Sequence, residues 1–124
     1  MRLRRARRAD MPVIKKLIRS YPKMLAQDYI PALKDFFVAE VEGLVVGCCA
    51  LEVYSKKIAE VRSLAVHKGF QGEGIAKELV RTCITVSRKR GVKALLAITG
   101  AVKLFDKLGF GTFQEEKYAM RKML

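Results

Sequence analysis

Between Ala59 and Thr99 an apolar run, a glycine-bearing turn, a helical repeat and a second apolar run follow one another. Ala59 to Val66 is apolar enough for a central strand, and it ends where the glycine cluster starts. From Gly74 onward Ile75, Leu79, Val80, Cys83, Ile84 and Val86 keep helical period, while Lys77, Arg81, Arg88 and Lys89 take the wet face. Gly91 closes this predicted helix, and Val92 to Thr99 forms the next strand. Strand, helix and strand in that order make a right-handed crossover whose strands lie parallel in one sheet. The chain is thereby held to an α/β (α+β) class in which helices cover a sheet.

The flanks add antiparallel elements. Arg2 to Ala6 alternates as a short opening strand, and Asp10 stands where a helix cap is expected, with Pro12 in the first turn. Met11, Val13, Ile14, Leu17, Ile18 and Tyr21 recur at the three-and-four spacing of one buried helix face until Pro22 interrupts. Tyr29 to Asp35 reads as a second, shorter helical piece. Phe36 to Val41, the turn Glu42-Gly43 and Leu44 to Tyr54 read as an antiparallel hairpin. Val102 to Leu108 reads as a short helix ended by Gly109, with closing strands at Phe110 to Gln114 and Tyr118 to Met123. There is no internal repeat and no linker, and 124 residues suffice for one core, so 1–124 reads as a single domain.

Composition removes several classes. Hydrophobic residues make up 51% and charged residues 30% with no low-complexity tract, which selects a folded chain over a disordered one. Apolar stretches such as Val45 to Leu51 fall well short of the roughly 20 residues that span a bilayer, so a soluble chain with no membrane partner is expected. The opening Met-Arg-Leu-Arg-Arg-Ala-Arg-Arg begins like a secretion signal but runs into Asp10 and an amphipathic pattern, leaving the cytoplasm as the expected compartment. Cys48 and Cys49 are strand neighbours that point to opposite faces, and with Cys83 they read as small core residues, not a disulfide framework. His67, the single histidine, cannot build a metal site alone, so no metal is expected. The net charge of +13 draws anions such as phosphates, acidic metabolites and nucleic acid. A solvated basic surface competes with a nucleic-acid footprint here. No recognition motif or aromatic platform accompanies the charge, and no nucleic-acid partner is expected.

The chemistry concentrates at Gln71-Gly72-Glu73-Gly74-Ile75-Ala76. The first amides of a helix have no internal partners and sit at the positive end of its dipole, and glycines let a phosphate approach them. A strand before this turn and a helix after it make the turn a candidate pyrophosphate site. An ordinary turn using glycines for positive φ is the alternative. The dinucleotide fingerprint does not apply, because it needs three glycines after the first strand and an acidic residue about 20 positions later.

Leu64-Ala65-Val66, Gln71-x-x-Gly74-x-Ala76 and Phe105-x-x-x-Gly109-Phe110 together resemble the Gcn5-related N-acetyltransferase (GNAT) superfamily. Ala59 to His67 together with Leu104 to Phe110 is similar, more narrowly, to the acetyltransferase part of N-acetylglutamate synthases. The resemblance implies a mixed, splayed sheet of about six to seven strands flanked by about four helices. It implies acetyl-coenzyme A as cofactor, with the backbone of Leu64, Ala65 and Val66 holding the pantetheine arm as if it were an added strand. Gln71, Gly72, Glu73, Gly74, Ile75 and Ala76 would hold the pyrophosphate, and Phe105 would wall the far side of the pantetheine. Lys68, Lys77 or Arg81 could neutralise the outer phosphate, and a homodimer is a further expectation.

Acetyl transfer needs an unprotonated amine, a polarised thioester carbonyl and a proton for the departing thiolate. Glu60 is the candidate base, matching a base of histone-acetylating members and able to act through water; a surface carboxylate paired with Arg62 is its other reading. The amide of Val66 is the candidate for polarising the carbonyl. Many members carry a proton-donating tyrosine where this chain has Phe105, which can pack but cannot donate. Solvent or the attacking amine is the favoured source, over Tyr118 or Tyr54. Arg62, two residues from Glu60, shares its strand face and could hold a substrate carboxylate. An amino-acid acceptor such as glutamate follows from the resemblance. Ser20 to Ile30 lacks the Leu-Pro-Arg-Ser type of sequence associated with the synthases, with Lys23 as a substitute charge, and the tail after Phe110 departs as well. Acetylation of protein N-termini or other small amines, a noncatalytic coenzyme A-binding module, and a nucleic-acid-associated protein are the competing functions.

Overall fold

Two residues of positive φ, Glu42 at 49° and Gly43 at 81°, join β2 (Phe36–Val41) to β3 (Leu44–Val53) in the tight hairpin read from the sequence. Paired positive φ matches the right-handed twist of the strands it connects. The computed structural model describes residues 1–111, and around this hairpin it lays β1 (Arg2–Arg5), β4 (Ile58–Val66) and β5 (Ala94–Ala97) into one sheet of order β1-β2-β3-β4-β5. The first four strands run antiparallel to one another in succession. The helix α2 (Ile75–Lys89) carries the chain over the sheet so that β5 joins β4 in parallel. α1 (Met11–Arg19) and α3 (Val102–Lys107) complete the helices of the described residues.

Strand alternation divides the core in two. Phe37, Ala39, Cys49, Leu51, Ala59 and Val61 face Leu79, Val80 and Cys83 of α2. Phe36, Val38, Cys48 and Ala50 face Ile14, Leu17 and Ile18 of α1. Cys48 and Cys49 do point to opposite sides, and all three cysteines are buried and free.

Some boundaries differ from the sequence reading. Tyr29 to Asp35 holds only a 3-10 turn at Leu33–Asp35. Pro31 lies inside that stretch, and a proline disfavours helical backbone at the residue before it. β5 is shorter than Val92 to Thr99, since the Val92 amide turns back to the Ser87 carbonyl and Ile98 is exposed. Of the two closing strands, Phe110 and Gly111 are described and lie in no strand, and the remainder falls outside the described residues.

Asp10 stands at the N-cap position of α1 as expected, but its side chain makes no capping hydrogen bond to that helix. Its carboxylate accepts from both Arg4 Nη atoms, at 2.7 and 3.1 Å, and from the Arg7 amide at 2.6 Å. Arg4 also reaches Glu40, so one of the amino-terminal arginines is an internal tie between β1, β2 and the start of α1. The bond from Arg4 holds the Asp10 carboxyl below its ordinary range. A carboxyl with a depressed folded pKa stabilises the fold above its unfolded pKa, about 3.9, and loses that contribution as pH falls through the folded value. Asp10→Asn is therefore expected to cost about 2 kcal/mol in urea unfolding at pH 7. The difference from wild type should shrink below about pH 4.

Candidate active site

The parallel pairing of β4 with β5 runs from Ile58↔Ala94 to Val61↔Ala97 and then stops. β4 continues to Val66, so Arg62 to Val66 line the inside of a wedge where the two strands part. Within this stretch Cys48 stands opposite Ala65 and Ala50 opposite Arg62, so Cys49 alone faces Ser63 and Leu64. That is a β-bulge on β4, with Ser63 at φ 52°. The extra residue shifts the alternation by one. Ala59 and Val61 before it, and Leu64 and Val66 after it, share the α2 side, while Ala65 turns to the α1 side.

The His67 amide donates to the Val46 carbonyl at 2.7 Å, with Gly47 opposite Val66. In an antiparallel ladder that pattern turns the N–H and C=O of Val66 away from β3, toward the wedge. The Val66 carbonyl accepts the hydroxyl of Tyr21, which also receives a bond from the Gln71 side-chain amide. The Lys68 ammonium sits 5.7 Å from the centre of the Tyr21 ring. Tyr21 thus ties the end of α1 to both the strand edge and the glycine turn, a role the sequence reading missed. Its helical spacing marked only a buried face, although the hydroxyl of a half-buried tyrosine calls for a partner.

Beyond Val66 the chain makes a 3-10 turn at Lys68–Phe70, with the Gly69 amide bonded to His67 Nδ1. Gly72 at φ 83° and Gly74 at φ 80° then set the entry into α2. Gly74 is the residue before the helix and offers no side-chain cap, and the Glu78 amide is already bonded to the Gly74 carbonyl at 3.1 Å. The amides of Ile75, Ala76 and Lys77 are thus the uncapped donors of this end. A Cβ on Gly72 or Gly74 would meet nothing within 4 Å, so these glycines serve backbone conformation and leave the donors uncovered. Gly47 is different: a Cβ there would come within 3.1 Å of Ile75 and Leu79, so a bare stretch of β3 lets the start of α2 settle close to the sheet.

These features fit a diphosphate followed by an extended amide-bearing arm: uncapped donors at one end, an unpaired strand edge at the other. Around the turn, Gln71, Glu73 and Lys68 are exposed, and Arg81 is paired to Glu78 at 2.7 Å. Phe105 is buried with Val66 and Ile75 and stands edge-on to Phe110 at 5.0 Å, so it builds the side of the wedge from the core.

Glu60 and Arg62 project from the α1 side of β4, as the alternation predicted, but they are not each other's partners. Glu60 accepts the Tyr54 hydroxyl. Arg62 lies 3.4 Å from Glu52, which stands opposite Glu60 in the ladder, and its guanidinium rests over the Tyr29 ring at 4.6 Å. Tyr29 in turn donates to Glu52 at 2.5 Å. Burial and the bond to Glu60 push the Tyr54 hydroxyl up to about 12. Burial works against the Arg62 charge, but Tyr54 and the two carboxylates outweigh it and hold the guanidinium protonated. Glu52 and Tyr29 were not singled out from the sequence. The pairing of Glu52 with Glu60 depends on the register that the turn between β3 and β4 sets, and Tyr29 lies in a segment read as helix.

A sequence model of the acetyltransferase (GNAT) family matches residues 3–110. The chain belongs to the GNAT acetyltransferase family. An uncharacterized N-acetyltransferase of Chlorobaculum tepidum is 33% identical over 96% of this chain and 81% of its own length. The amino-acid acetyltransferase of Mycobacterium tuberculosis is 34% identical over 87% of this chain and 67% of its own. Among solved structures, Rv2747 of M. tuberculosis in complex with CoA and NLQ superposes with a TM-score of 0.83 at 32% identity, covering 88% of this chain and 70% of that one. N-acetylglutamate synthase of Neisseria gonorrhoeae, complexed with coenzyme A and N-acetyl-glutamate, gives 0.78 at 26% identity over 86% of this chain and 27% of that chain. The family's mixed α/β architecture is that of the described residues. No helix among them is long and apolar enough to cross a membrane.

Proposed function

We propose that the chain binds acetyl-coenzyme A along the wedge and at the start of α2, and transfers the acetyl group to the α-amino group of an amino acid such as glutamate. The observation that carries this reading is the continuity of the β4 edge beyond Val61 with the uncapped amides after Gly74. Its acceptor half draws support from the kinship with an amino-acid acetyltransferase and with a synthase complexed with N-acetyl-glutamate. Acetyl-coenzyme A supplies a thioester carbonyl that an amine can attack. The residues of Gln71 to Ala76 bind the diphosphate through main-chain donors, and Leu64, Ala65 and Val66 hold the pantetheine by backbone bonds. Glu60 takes a proton from the acceptor ammonium, directly or through water, and the Val66 amide donates to the carbonyl oxygen. Phe105 packs against the site but cannot donate, so the thiol proton comes from solvent or from the amine. Arg62 takes the acceptor carboxylate.

Thiol release from acetyl-coenzyme A, measured against glutamate, other amino acids, polyamines and protein N-terminal peptides, tests the whole reading. Release with amino acids, glutamate foremost, is the expected result. A preference for peptides or polyamines would reassign the acceptor. No release with any amine, while coenzyme A still raises the melting temperature, would make the chain a binding module.

A further inference from the structure

The acceptor face holds a carboxylate with an unused oxygen. Glu52 has a side chain only 13% exposed, and its Oε2 is fixed by the Tyr29 hydroxyl. Its Oε1 is buried and accepts no hydrogen bond from the described residues. Among the described residues its cationic neighbour is Arg62 Nη1 at 3.4 Å, beyond the roughly 2.7–2.9 Å of a charge-assisted bond. A buried acceptor left without a donor is costly, and a cationic donor is the partner that relieves it best. Arg62 is complementary in state. Tyr29 supports it through the face of the guanidinium, which leaves N–H edges for a planar anion. An ammonium and a carboxylate borne on one carbon match such a pair of opposite, incompletely bonded charges.

We propose that Glu52 reads the acceptor ammonium, so that an α-amino acid is held as a zwitterion between Glu52 and Arg62 with its nitrogen turned toward Glu60. This rests on the amino-acid reading above and adds to it the residue that selects the amine. It also separates two electrostatic scales. The net charge of +13 draws an anionic acceptor toward the protein. Glu52 and Glu60, two carboxylates beside one guanidinium, then decide which end of it enters first.

The test compares L-glutamate with glutarate, the same diacid without its amino group, in the wild type, Glu52→Gln and Glu52→Asp. Glu52→Gln is expected to raise KM for glutamate by about 10- to 100-fold. Inhibition by glutarate and KM for acetyl-coenzyme A should stay as in the wild type, so the preference for glutamate over glutarate collapses. Glu52→Asp, which keeps the charge but retracts it, should recover part of that preference and carries the comparison if the Gln variant fails to fold. An equal loss of glutamate and glutarate binding, or no loss, would overturn the proposal and reduce Glu52 to a support for Arg62. A wild type that acetylates no amino acid would show the acceptor reading itself to be wrong, and this inference would go with it.

Discussion

Gly74→Glu is expected to leave a folded chain that gives no measurable heat with coenzyme A. Gly74 holds φ 80°, a left-handed conformation that costs an ordinary L residue about 1–2 kcal/mol. The cost is local, because Ile75 and Leu79 anchor the start of α2 over Gly47, and circular dichroism should show the helices retained. The decisive effect is charge. A carboxylate before the first turn would satisfy the amides of Ile75 to Lys77 itself and repel a diphosphate from the same donors. Calorimetry should show affinity falling by about 100-fold or more, against about tenfold for Gly74→Ala, which carries the backbone strain alone. Undiminished binding in the Glu variant would remove the glycine turn from the cofactor site.

Glu60→Gln should do the opposite, sparing coenzyme A binding while kcat falls by about 10²- to 10⁴-fold, the usual contribution of a general base. The amide keeps the shape of the side chain and can still meet the Tyr54 hydroxyl, so packing on this face changes little. What is lost is the capacity to accept a proton from the acceptor. Steady-state rates with calorimetric affinities separate the two quantities, and wild-type turnover in this variant would leave Glu60 as a partner of Tyr54 and nothing more.

How much of this was legible in the sequence depended on whether a feature leaves a periodic trace. α2, the glycine turn before it and the parallel strands around it could be read because their apolar positions repeat and Gly74 and Gly91 mark the ends. The bulge at Ser63 and Leu64 could not, since neither glycine nor proline marks it and one extra residue silently reverses the faces that follow. That is why Leu64, Ala65 and Val66 could be named as a strand edge while their orientation could not. Glu60 and Arg62 were placed on one face correctly, because they precede the bulge. Their actual partners, Tyr54 and Glu52, depend on register across the hairpin, which alternation alone does not fix. Tyr21 and Gln71 meet across fifty positions of sequence, a contact set by tertiary packing.

On the proposed function, the bulge also divides labour within one strand. The carrier would be offered mostly main chain, on an edge and at a helix start where substitutions alter little of the chemistry. The acceptor would be offered side chains, on the opposite layer and ahead of the irregularity. A protein arranged this way would be retargeted to a new amine by exchanging Glu52, Arg62 or Tyr29, while the grip on the acetyl donor passed unaltered from one specificity to the next.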